Sequence, residues 1–122
     1  MRERILILAG VAVLAFAWLG PLPHFVPHSF AAHMALHMAV VGIGAPLLAI
    51  CIASRVTPTG GTSLVLPIIV SVLDLVVVWL WHAPALHHAA RSGGAALAIE
   101  QLSFAGAALL VWLVALAGPA LP

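Results

Sequence analysis

The chain has 122 residues, 65% apolar and only 6% charged, with four basic residues, all arginine, and three acids. A soluble domain of this size needs a charged surface that such a composition cannot supply, so lipid is the expected solvent. A formal net charge of +1 with no basic run excludes a nucleic-acid footprint, and the single cysteine, Cys51, excludes an intrachain disulfide.

The first apolar run covers about residues 5–20 and is closed by Pro21 and Pro23, which cannot continue a helix. With Arg2 and Arg4 before it and the small-x-small triplet Ala15-Phe16-Ala17 inside it, the same run also fits a cleavable signal segment. The second run, about residues 30–53, is long enough at about 1.5 Å per residue for a full crossing and ends at Ser54-Arg55. A turn at Pro58-Thr59-Gly60-Gly61 leads into a third run, about 63–86, and a polar break from His87 to Gly94 precedes the fourth, about 95–117. The expectation is an all-α integral membrane bundle of four transmembrane helices, one transmembrane domain over residues 1–122. Alternating crossings put Arg2, Arg4 and Arg55 on one side and Arg91 alone on the other, which places both termini in the cytoplasm (N-in/C-in). All seven histidines then lie toward the outer face.

Helix rise puts His33 and His37 about one and two turns inside the second span, with His82 at similar depth in the third and Glu100 and Gln101 in the fourth. These five side chains share a layer roughly 10 Å thick, and ionisable groups in hydrocarbon should face one another rather than lipid. His33 and His37 are four apart, on one helix face, and imidazole is the commonest protein metal ligand. Met34 and Met38 directly follow them, and thioether beside imidazole suits copper better than magnesium, calcium or manganese, with zinc as the alternative. The expected ligands are His33, His37 and His82, joined by Met34 and by His87 and His88 from the outer loop. Glu100, Gln101 and Met38 are expected beside them, pairing with or orienting the imidazoles.

Simpler readings stand next to these. The histidine pair could be interfacial rings bonded to headgroups or neighbouring helices, and the methionines could be gap-fillers. His24, His28, His87 and His88 could be merely solvated. Cys51 lies roughly 20 Å along the helix from His37 and reads as a small core residue. Asp74 sits near the middle of the third span with no basic residue at its depth, either a neutral acid bonded to a neighbouring helix or part of a relay. Trp18, Trp79, Trp81 and Trp112 read as interface anchors, and Pro46, Pro67 and Pro84 as kinks within spans.

His33-Met34-Ala35-Leu36-His37 with Pro46-Leu47, then Trp81-His82-Ala83-Pro84-Ala85-Leu86, then Ile99-Glu100-Gln101-Leu102-Ser103-Phe104 occur in that order over about residues 30–113. They resemble the HMxxH…PLL, WHxPxL and EHLSF segments of the multi-span CtaG-type cytochrome c oxidase assembly factors. The resemblance implies a bacterial plasma-membrane protein that matures a haem-copper oxidase by handling copper, with oxidase subunits as partners; the outward mouth lined by His87 and His88 suits exchange with a periplasmic copper donor. Three departures accompany it: Gln101 stands where the family has histidine, His87-His88 replace a Tyr-Asp pair, and the spans are fewer. Two alternatives remain, an accessory structural subunit packed through Gly42-Ile43-Gly44 and Ala105 to Ala108 without metal, and a haem-binding redox subunit. No nucleophile and base pair stands out, so an enzyme is not expected.

Overall fold

The computed structural model describes residues 1–55, 64–92 and 94–117; the turn expected at Pro58 to Gly61 lies outside them. Four helical stretches, Arg2–Phe25, Phe30–Ala53, Val65–His82 and Gly94–Leu116, are long and apolar enough to cross a membrane. No strand occurs among the described residues. The protein is an all-α membrane bundle of four spans.

Helix α1, Arg2–Leu19, stops at Gly20 ahead of Pro21, and a single turn, α2 (Leu22–Phe25), follows. Helix α3, Phe30–Ala39, begins where the Ser29 hydroxyl accepts the Ala32 N–H at 3.1 Å, satisfying one of the free donors of the first turn. The second span then widens into a π-helical turn, Val40–Gly44, before continuing as α4, Ala45–Ala53. Pro46 explains the widening, because it has no N–H and its ring crowds the carbonyl four residues back. The Ala45 N–H bonds to Val40, and Pro46 offers Val41 nothing, so the Val41 carbonyl is left over. Trp112 on the fourth span donates its indole N–H to that carbonyl at 2.9 Å. The kink expected at Pro46 therefore takes the form of a π turn repaired by a neighbouring helix.

The third span, α5 (Val65–His82), ends at His82 rather than near Leu86. Ala83 is held extended (φ −60°, ψ 139°) by the proline that follows, and Pro84 opens a new helix, α6 (Pro84–Arg91). The segment expected to be a polar loop is thus mostly helical, and Pro84 separates two helices instead of kinking one. Pro67 falls in the first turn of α5, where a missing N–H costs no hydrogen bond.

Helix α7, Gly94–Ala117, is the central element, packing on α4, α5 and α6. One apolar cluster joins Ala17, Val26, Leu36, Val40 and Leu97; a second joins Trp81, Ala90 and Phe104. Gly44 is consumed internally, since a Cβ there would come within 2.7 Å of the Leu14 side chain on α1, while Gly42 faces open space. By contrast α5 buries only Val70 and Trp81. Trp79 is 72% exposed, as an interface anchor would be, whereas Trp81 is buried and Trp18 and Trp112 bond inside the bundle. At the end of the bundle away from the histidines, Arg55 pairs with Glu3 at 3.0 Å, tying the close of α4 to the start of α1. Cys51 is buried there, its thiol 3.7 Å from the Glu3 carbonyl.

Candidate functional site

The i, i+4 spacing on α3 brings the His33 and His37 rings to 4.5 Å between centroids, both turned inward toward α7. Glu100 and Gln101 meet them from α7. Glu100 is 1% exposed, and its Oε1 lies 2.7 Å from His33 Nε2 and 3.5 Å from His37 Nε2. Gln101 sends its amide nitrogen to His37 Nδ1 at 3.1 Å and to Glu100 Oε1 at 3.2 Å, while its amide oxygen accepts the Trp18 indole N–H at 3.1 Å. One nitrogen from each histidine and one Glu100 oxygen all lie within 4.8 Å of one another, and all three residues are buried. Phe104 closes one side, with its ring 4.5 Å from that of His37. Nearly every polar atom in this core has a partner; the exception is His33 Nδ1, which is buried with none among the described residues.

His82 does not join the cluster. It is exposed, and its Nδ1–H donates to the Val78 carbonyl at 2.6 Å, one turn back on its own helix. His82 is the last residue of α5 rather than a residue inside the span, and it faces outward because α5 turns Trp81 inward and the next residue lies 100° round. His87 bridges the gap from α6: its ring stacks on His33 at 5.4 Å and on His82 at 5.9 Å. Partial burial, then the neighbouring His33, His82 and Arg91, hold the His87 pKa below the ordinary imidazole value despite Glu100. The rings therefore form a ladder, from exposed His82 through half-buried His87 to buried His33 and His37.

The remaining expected residues stand apart. Met38 is 58% exposed and Met34 half-buried, so neither thioether belongs to the buried group. His24, His28 and His88 are exposed. Asp74 is half-buried on α5 and finds no hydrogen-bond partner among the described residues.

Over residues 2–122 the sequence matches the family described as cytochrome c oxidase caa3 assembly factor (Caa3_CtaG). The chain belongs to that family. Its role lies in cytochrome c oxidase assembly. Searches of curated proteins and of solved structures found no significant match. Among family features legible from the sequence, the His33/His37 pair and Glu100 converge in space, while the His82 motif ends α5 and sets where α6 begins. Trp18 is the site residue that motif reading missed; the available signal was an indole on α1 at the depth of an intramembrane amide.

Proposed function

We propose that the His33–His37–Glu100 cluster takes up a copper ion as cargo and passes it to a cytochrome c oxidase under assembly. The observation that carries this reading is the buried convergence of three potential donor atoms from two helices within 4.8 Å. Two imidazoles and a carboxylate form a harder set than the thioether-rich one expected from the sequence, and suit Cu(II) or Zn(II) better than Cu(I). Haem ligation loses support: both rings sit side by side on one helix, with no space between them for a macrocycle.

The ring ladder supplies a route. His82 keeps Nε2 open at the surface, and His87 lies between it and the buried pair, so an ion can pass between imidazoles without crossing bare hydrocarbon. With both termini cytoplasmic, as the arginine bias indicates, this ladder opens to the periplasm and to a donor there.

A second reading has its own support. Trp18, Gln101, Glu100 and the two histidines already link α1, α3 and α7 through direct hydrogen bonds, which a purely structural subunit would also need. Replacing His33 and His37 together with alanine separates the two. Delivery predicts lower oxidase copper content and activity in copper-limited cells, with the variant still present in the membrane. Full oxidase activity alongside normal amounts of the variant leaves only the structural reading.

A further inference from the structure

The hydrogen bonds around Gln101 determine where a proton sits on His37. An indole N–H only donates, so the end of the Gln101 amide facing Trp18 at 3.1 Å must be its oxygen. The other end lies 3.2 Å from a Glu100 carboxylate oxygen, and an ionised carboxylate only accepts, so that end must be the NH2. Two independent neighbours thus orient the amide the same way. The same NH2 meets His37 Nδ1 at 3.1 Å, and a nitrogen facing an amide N–H must offer its lone pair. The proton of the neutral ring is then on Nε2, which points at Glu100 Oε1 from 3.5 Å.

From this geometry we infer that Gln101, held by Trp18, is a positioning residue that locks His37 in the Nε2–H tautomer and keeps the cluster closed to metal until the amide turns over. The regulatory half of the inference rests on the proposed metal site; the tautomer half does not. A metal entering at Nε2 must displace that proton, and a neutral ring then carries it on Nδ1, directly against the Gln101 N–H. Relief requires the amide to rotate and present its oxygen, which breaks the Trp18 bond. Trp18 and Gln101 line a cavity of about 340 Å³ together with Leu36, Leu97 and Leu102, so both side chains have adjoining space in which to move. In this account loading is coupled to movement of α1 against α7, and the metal is held less tightly than the same three donors would hold it unopposed.

The test uses the full-length protein in detergent with histidine labelled by 15N, together with Gln101→Glu, which can accept from Nδ1, and Gln101→Leu, which removes the opposing N–H without adding charge. In metal-free protein the ring resonances lost in His37→Ala should show Nε2–H in the parent and Nδ1–H in Q101E. Zinc ion, as a diamagnetic probe, should bind Q101L and Q101E about ten- to a hundredfold more tightly than the parent, the usual scale for partners that orient a ligand. Nδ1–H in the parent overturns the inference whether or not zinc binds. Equal zinc affinity in the parent and Q101L overturns its regulatory half. Zinc bound by none of the three proteins defeats the metal site itself, and the ring resonances still decide the tautomer.

Discussion

Two carboxyl groups lie away from the ends of the spans, Glu100 and Asp74, and the bundle treats them in opposite ways. Glu100 on α7 is surrounded by two imidazoles and an amide, at 2.7, 3.5 and 3.2 Å. Asp74 on α5 is half-buried with no hydrogen-bond partner among the described residues. A carboxyl group in hydrocarbon is expensive, on the order of 2.5–3.5 kcal/mol at mid-span even by the milder scales. On α7 that cost is offset by a network that joins three helices. On α5, a helix that buries only Val70 and Trp81, nothing within the described residues offsets it. Polarity within a span therefore does not by itself mark a site; convergence of partners does.

The comparison breaks most visibly by substitution. Glu100→Leu leaves two imidazoles buried without their acceptor and should destabilise the bundle by about 3–5 kcal/mol, the scale for removing one member of a buried pair. Asp74→Leu removes a group that nothing among the described residues satisfies and should be neutral or stabilising. Denaturation of the purified protein in mixed detergent measures both, and equal losses for the two variants would erase the distinction. Trp18→Phe deletes one hydrogen bond at the edge of the network and should cost about 1 kcal/mol in the same assay. Arg55→Ala, at an ion pair 60% and 46% exposed, should cost less than about 1 kcal/mol; a larger loss would mean that the α1–α4 end, not the histidine end, holds the bundle together.

The smallest effect is one of pH. His87 lies outside the spans with its pKa held below the free-ring value of about 6.5. When α6 is undocked the ring takes up a proton first as pH falls, so docking of α6 is fully favoured above about 6.5 and weakens on acidification below it. An NMR titration of His87 should show its midpoint on the acid side of the free ring; a midpoint at or above the free-ring value contradicts the stacked arrangement.

What the sequence conveyed was depth, and what it withheld was azimuth. Counting along helices placed His33, His37, His82, Glu100 and Gln101 in one layer, and the i, i+4 spacing further placed the first two on one face. Nothing in that arithmetic fixed the rotation of α5, whose Trp81 took the inward position and left His82 outside. The exposure of Met38 follows from the same helix geometry, because the residue after an inward His37 points about 100° away. Helix α6 was legible in Pro84 as a helix-opening residue, had the polar His87-His88 pair not suggested a loop. The π turn at Val40–Gly44 and its repair by Trp112 join residues 71 positions apart and leave no local signature beyond Pro46.

The central claim is that the α3–α7 cluster holds metal, and equilibrium dialysis of the purified protein against Cu(II), followed by elemental analysis, tests it most directly. The account predicts one copper per chain in the parent, retained in His82→Ala and lost when His33 and His37 are both alanine. Copper that is absent from the parent, or that survives the double substitution unchanged, would contradict it.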